Sequence, residues 1–357
     1  MKVLVVKTSS LGDVIHTLPA LTDALRVYPN LEVDWLVEKN CSEPIRWHGG
    51  VKRIIEMEFR KWRKVPWQSW RQQHWQRLYR ELRSNHYDII IDAQGLLKSA
   101  AMTFFAKGKR HGLARGSSRD AVAPWLYHQR HEITWQAHAI ERVRQLFAKA
   151  LAYPMPTEEA DYGLQAFFNA NISIPTVFQD ATGRGWKGEG NNNYIVFLHG
   201  TTWASKLWPV SHWQALGQKL KEMGYHIHIP FGNDVEKARA EEIAKACDGL
   251  VLPPLSLKDI AVELINAKAV VAVDTGLGHL TAALSVPTVS LYGSTDPNKT
   301  GTRGRNQQHL QVKYDCAPCL LQECPWVDVK EIPPCYESLK TDRVIESLQA
   351  LLEETPS

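Results

Sequence analysis

Six segments carry side chains able to do chemistry, and five of them sit where an apolar run gives way to a polar turn. The first is Lys7-Thr8-Ser9-Ser10-Leu11-Gly12-Asp13-Val14-Ile15-His16. An aspartate just inside a helix start can simply cap that helix. It can also take a proton from an incoming hydroxyl, which is general-base work. The second is Asp274-Thr275-Gly276-Leu277-Gly278-His279. Backbone N–H groups at such a turn suit a phosphate, glycine allows close approach, and Thr275 and His279 add donors. A tight turn with a satisfied helix histidine is the plainer alternative. The third is His199-Gly200-Thr201-Thr202, with Lys206 beyond it and Trp208-Pro209 closing the loop. Its hydroxyls and ammonium suit a diphosphate, although a polar loop with a solvated lysine would read the same.

The fourth segment, Pro230-Phe231-Gly232-Asn233-Asp234-Val235-Glu236, places carboxylates just after a strand. There a carboxylate can bind a ribose diol, or Asp234 can cap the helix while Glu236 is solvated. The fifth, Asp92-Ala93-Gln94-Gly95-Leu96-Leu97-Lys98-Ser99, offers Lys98 to an anionic group, with Asp92 equally suited to a structural loop. The sixth is basic and rich in tryptophan. It runs from Arg60-Lys61-Trp62-Arg63-Lys64 through Trp67, Trp70, Arg71 and Trp75 to Arg80 with no acidic interruption. Such a run suits single-stranded nucleic acid, an anionic bilayer or a phosphorylated, carboxylated glycolipid, or merely a solvated amphipathic helix. Its confinement to one segment favours a local acidic ligand.

The elements that must hold these residues follow from periodicity. Strands are expected at 3–6, 32–37, 53–56 and 88–92, with helices at 13–28, 97–105 and 138–151. Residues 154–193 are rich in Pro, Gly and Asn and read as a loop or linker. The alternation then restarts. Strands are expected at 194–198, 225–230, 269–273 and 288–292, and helices at 211–223, 234–246, 256–267 and 276–284. A final helix at 337–353 could pack back on the first domain. Alternating strands and helices mean parallel sheets covered on both faces. In such sheets ligands bind beyond the carboxyl ends of the strands.

Composition bounds the rest. A length of 357 residues suits two domains, each able to bury a core. A net charge of only +4 argues against a general nucleic-acid binder. No run is long enough to span a membrane or serve as a signal peptide, so a cytoplasmic protein is expected. The opening motif carries no Gly-x-Gly-x-x-Gly, so a dinucleotide fingerprint is not supported there, and no Asp-x-Asp metal motif is evident. Cys316, Cys319, Cys324 and Cys335 cluster near the C-terminus, with the last gap irregular for a zinc site. Buried thiols are nearly as good a reading.

Taken together, the opening motif, Asp92-Ala93-Gln94-Gly95-Leu96-Leu97-Lys98-Ser99-Ala100 and Asp274-Thr275-Gly276-Leu277-Gly278-His279-Leu280-Thr281-Ala282-Ala283 resemble family 9 glycosyltransferases. These are the heptosyltransferases of lipopolysaccharide core assembly, and the resemblance spans nearly the whole chain. It implies the α/β GT-B fold, two Rossmann-like domains facing across a cleft. The expected division is an acceptor domain at 1–170, a linker at 171–193, a nucleotide-sugar domain at 194–336 and the C-terminal helix at 337–357. The implied donor is ADP-L-glycero-D-manno-heptose, and the implied acceptor is Kdo2-lipid A. Donor-site residues fall on Thr201, Thr202, Lys206, Glu236, Leu255, Asp274, Thr275, Gly276 and His279. Leu255 stands where the family has a methionine. The base falls on Asp13, and the acceptor-binding residues on Ser10, Arg60, Lys61, Lys64 and Lys98. The cysteine cluster is a departure, being more like heptosyltransferases of other types.

The resulting expectation is an inverting, metal-independent transferase without cofactor. It would be a monomer, peripheral on the cytoplasmic face of the inner membrane, and would not bind nucleic acid. Two other classes remain open. A nucleotide-sugar epimerase or hydrolase would turn over the donor alone and would leave the Arg60-to-Arg80 run without a role. A non-catalytic glycolipid or nucleic-acid binder would be indifferent to loss of Asp13.

Overall fold

The computed structural model describes residues 1–64, 73–171, 178–179, 185–186, 193–327 and 333–354. The chain divides into two compact units, Met1–Phe167 and Phe168–Ser357.

The first unit is built on a sheet of β1 (Lys2–Val6), β2 (Glu32–Glu38), β3 (Val51–Met57), β4 (His86–Asp92), β5 (Lys107–Leu113) and β6 (Gln129–His131). All neighbours are parallel, in the order β3-β2-β1-β4-β5-β6. β1 is buried along most of its length because it lies mid-sheet with both faces covered, which is why it reads as a continuous Val/Leu run. The expected helix at 13–28 is two helices, Leu11–Ile15 and Leu18–Val27. Pro19 has no N–H to donate and its ring would clash with the carbonyl four residues earlier, so the helix stops and restarts with proline in its first turn.

A short antiparallel pair, β7 (Phe178–Gln179) and β8 (Gly185–Trp186), belongs to the second unit. Most of the Gly183–Gly190 run read from the sequence as a linker lies outside the described residues. The second unit's main sheet comprises β9 (Tyr194–Leu198), β10 (His226–Ile229), β11 (Leu250–Val251), β12 (Ala269–Val273), β13 (Thr288–Tyr292) and β14 (Gln307–Gln311). Its order, β11-β10-β9-β12-β13-β14, repeats that of the first sheet, again all parallel. Each sheet thus reverses direction of winding between its first and fourth strands, the place where such folds bind ligands.

In the C-terminal helix, Thr341–Glu354, Val344, Leu348 and Leu351 are buried in the second unit's core with Trp213, Leu220 and Leu291. Their spacing of three and four makes one apolar stripe, and the facing partner for that stripe is the Val210–Glu222 helix and the β13 side of the sheet.

Candidate active site

In the first unit the loop after β1 carries Lys7 to Asp13. The loop is tied down by Gln94, whose Oε1 accepts the N–H groups of Thr8 (3.1 Å) and Ser9 (3.2 Å). Asp92 in turn holds the Gln94 loop. Its buried carboxylate accepts from the N–H groups of Gln94 and Gly95, the Ser99 hydroxyl and the Tyr127 hydroxyl. Asp92 is therefore an organiser of the loop, and burial raises its pKa despite those donors.

Asp13 closes a capping box with Ser10 at the start of the Leu11–Ile15 helix, accepting from Ser10 N–H at 2.9 Å and Ser10 Oγ at 3.0 Å through Oδ2. Its other oxygen lies 3.6 Å from Lys7 Nζ, and the carboxylate remains 28 % exposed. Burial pushes its pKa up, but Lys7, the Ser10 N–H, Arg119 and His16 outweigh that and hold it well below the usual carboxylate range. Lys7 is buried and donates to Ala93 O at 3.0 Å. Desolvation lowers its own pKa.

A pocket opens at Asp13, lined also by Lys7, His16, Gln94, Arg119, Trp135 and Arg142. Arg142 stacks on Trp135, its Cζ 3.7 Å from the ring centre, and donates to Ser117 O at 2.7 Å. Burial, reinforced by Arg119, lowers the Arg142 pKa to about 10. The pocket therefore concentrates positive charge around one ionised carboxylate, which suits an anionic guest. Arg119 and Arg142 escaped the sequence reading because they sit in a polar loop and a later helix, and only the β5–β6 side of the sheet brings them to Asp13.

The other acceptor candidates fare differently. Lys98 lies on the first turn of the helix Leu97–Thr103 and is not among the side chains lining this pocket. Lys61 is exposed and 3.7 Å from Glu58. Arg60 and Lys64 belong to the helix Phe59–Lys64, but their side chains lie outside the described residues, as do Trp67, Trp70 and Arg71 entirely. One tryptophan of that segment is a core residue and another packs against that core, which sequence could not decide. Trp62 is buried, stacks on His74 and meets Trp75 edge-on. Trp75 packs against the same core.

In the second unit the polar groups line the carboxyl edge of the sheet in strand order. After β12, Asp274 lies 2.8 Å from Lys206 Nζ and accepts from Thr295 Oγ1 at 2.6 Å, with His279 Nε2 at 3.8 Å. Burial raises the Asp274 pKa, but Lys206, His279 and Thr295 outweigh it and lower it on balance. Thr201, after β9, donates to Asp274 O at 3.1 Å, and Thr202 beside it is exposed. Thr275 holds the N-cap position of the helix Gly276–Ala283 with no side-chain capping bond, so Gly276 and the next N–H groups start that helix just after Asp274. Lys206 also lies over the Trp203 ring at 4.4 Å.

After β10, Asn233 caps the helix Asp234–Cys247 in place of the expected Asp234. Its extended backbone and side-chain acceptor for Glu236 N–H satisfy one of the helix's orphan donors. The Glu236 carboxylate accepts from Gly232 N–H at 2.7 Å and lies against Gly200, where a Cβ would come within 2.7 Å of it. Glycine at 200 is what lets the β9 loop pass this carboxylate. Leu255, half-buried, follows β11 at the sheet edge. From β12 to β11 is three strand spacings, about 14 Å, enough for diphosphate, ribose and base in sequence.

The four clustered cysteines are free, with Cys335 buried and the others at least partly exposed. Burial, and then the neighbouring Cys316, Cys324 and Cys319, push the Cys335 thiol up to about 11. Among the described residues no three His, Cys, Asp or Glu side chains are placed to hold a metal ion together.

Comparison with known proteins finds matches over most of the chain. Residues 75–329 match the model of glycosyltransferase family 9 (heptosyltransferase). The chain is 44% identical to lipopolysaccharide heptosyltransferase 1 of Pseudomonas aeruginosa, covering 99% of this chain and 98% of that protein. It is also 44% identical to the Escherichia coli K12 protein of the same name, covering 86% and 92% respectively. Among solved structures, E. coli heptosyltransferase WaaC with ADP superposes with a TM-score of 0.83 at 37% identity, covering 98% of this chain and 100% of that one. WaaC with ADP-2-deoxy-2-fluoro heptose gives 0.80 at 38%, covering 98% and 99%.

Proposed function

From the premise that this chain belongs to glycosyltransferase family 9, we propose that it transfers heptose from ADP-heptose to a Kdo hydroxyl of Kdo2-lipid A with inversion. The observation that carries the proposal is Asp13. It is an ionised carboxylate with an exposed edge, set in a cationic pocket after β1. An acceptor bearing carboxylates or phosphates is drawn by Arg119, Arg142 and Lys7, and Ser10 and Lys98 extend the same polar edge. Arg60, Lys61 and Lys64 add positive charge for the same ligand. Asp13 removes the hydroxyl proton as the oxygen bonds to the anomeric carbon, and the bond from that carbon to the diphosphate oxygen breaks. Attack opposite the leaving group inverts the centre.

The donor lies along the second sheet's edge. Thr201, Thr202, Lys206 and the Thr275–Gly276 turn take the diphosphate, with Asp274 and His279 orienting Lys206 and the turn. Glu236 takes the ribose diol and Leu255 packs at the base. Lys206 and the helix start stabilise the charge growing on departing ADP. That a solved relative holds ADP supports this reading.

Purified protein is incubated with ADP-heptose, with and without de-acylated Kdo-lipid A, beside Asp13→Ala. The expected result is acceptor-dependent ADP release that falls by a hundredfold or more, about the range of general-base catalysis, while ADP-heptose binding persists. Release without acceptor points to a hydrolase. Full activity in Asp13→Ala removes the base assignment.

A further inference from the structure

In the first unit the helix Leu97–Thr103 packs beside the short 3-10 turn Ala123–Leu126. Their inner sides meet: Ala100, Ala123 and Tyr127 are buried together with Leu126 against them. Their outer sides are apolar and open to solvent. Leu97 and Phe104, seven residues apart and so on one side of the helix, are each 46 % exposed. Val122 and Trp125 are 56 % and 70 % exposed on the neighbouring turn. Single exposed apolar residues are ordinary, but a group of four on two adjoining elements marks an interaction surface.

Two guanidinium groups are fixed to this face. Arg110 lies over the Phe104 ring at 4.1 Å and donates from Nε to Leu126 O at 2.9 Å. Arg130 lies 6.0 Å from the Trp125 ring centre and donates from Nε to Pro124 O at 2.8 Å. Asp120 stands at the margin, where its carboxylate accepts the Leu97 N–H. Exposed aromatic rings flanked by arginine match the headgroup layer of a bilayer, where ring bodies meet acyl chains and guanidinium groups meet phosphodiesters. Anionic lipid adds attraction for both cations.

We propose that this face docks the protein on an anionic phospholipid bilayer, with Phe104 and Trp125 at the acyl boundary and Arg110 and Arg130 on lipid phosphates. The proposal deepens the lipid-acceptor reading and rests on it for its purpose, while bilayer binding itself needs no substrate.

The full chain is sedimented with vesicles of phosphatidylglycerol and phosphatidylethanolamine, and with vesicles of phosphatidylcholine alone. Wild type is expected to bind the anionic vesicles preferentially. The double variant Phe104→Ala, Trp125→Ala is expected to bind about tenfold more weakly or worse, and Arg130→Glu to lose the preference for anionic lipid. Both should transfer heptose to soluble, de-acylated acceptor at the wild-type rate, which shows that they fold. Equal vesicle binding by wild type and the double variant, or no binding by wild type, overturns the proposal. So does a wild-type dimer that the double variant makes monomeric, because a second copy would then own the face. Failure of wild type on soluble acceptor would instead overturn the transferase reading and leave the vesicle result standing.

Discussion

Asp13 and Lys7 set each other's chemistry. The carboxylate is useful as a base only when ionised, and Lys7 is the first of the groups that keep it so against the pull of burial. Removing Lys7 leaves the desolvation and removes the strongest opposing charge. The Asp13 pKa must then rise. Activity that needs the carboxylate is lost as pH falls through that pKa, so the acid limb moves to higher pH. Lys7→Met is therefore expected to shift the acid limb of kcat/KM, which reports the free enzyme, to higher pH. An unmoved limb would assign Lys7 to loop structure alone. The opening motif was legible because a short apolar strand followed by Ser-x-x-Asp is a local pattern. Arg119 and Arg142 were not legible, since nothing local ties them to residue 13. The places of Trp62 and Trp75 were not legible for the same reason: a basic, aromatic segment can hide core residues among solvated ones.

At the level of elements, the strands of the two main sheets that escaped the sequence reading are β5, β6, β11 and β14. Lys107–Leu113 and Gln307–Gln311 are polar runs, and β6 and β11 are only a few residues long. These strands lie at or next to the sheet edges, where one side of the ladder meets solvent and apolar patterning is not enforced. The central strands, covered on both faces, announced themselves. Loops attached to different strands must also be kept in register with each other, and Arg239 does this for two loops of the proposed donor site. Arg239, one turn beyond Glu236, donates from Nη2 to Trp208 O. It thereby ties the helix carrying Glu236 to the end of the loop carrying Lys206. Burial lowers its pKa, yet it stays a cation engaged with a buried carbonyl. Arg239→Leu leaves that carbonyl unpaired, a loss of about 1–3 kcal/mol. The KM for donor is expected to rise about tenfold while the KM for acceptor stays put, with Arg239→Lys recovering part of it. Equal changes in both constants would mean general destabilisation.

At the level of the whole chain, the two units share a strand order but divide the chemistry. Each has its own core: Leu4, Leu36, Ile55 and Ile90 in the first, Phe197, Trp213, Val271 and Leu291 in the second. The proposed proton acceptor belongs to the first unit and every proposed diphosphate group to the second. A ligand that binds only the folded state stabilises it by an amount set by its concentration over Kd, about 2.7 kcal/mol at a hundredfold excess. ADP carries the diphosphate, ribose and base but no acceptor group. Its stabilisation should therefore depend on second-unit residues alone. In a thermal melt, ADP is expected to raise the midpoint of wild type and of Asp13→Ala by the same number of degrees. Lys206→Ala should lose most of the shift, because the diphosphate then meets no ammonium and Asp274 is left without its 2.8 Å partner. A shift that vanished in Asp13→Ala but survived in Lys206→Ala would place the nucleotide on the first unit and reverse the assignment of the two sheets. Their identical topology makes that reversal a real alternative: the fold offers a carboxyl-edge site in each unit, and only the side chains after β1 and β12 distinguish a base from a phosphate cradle.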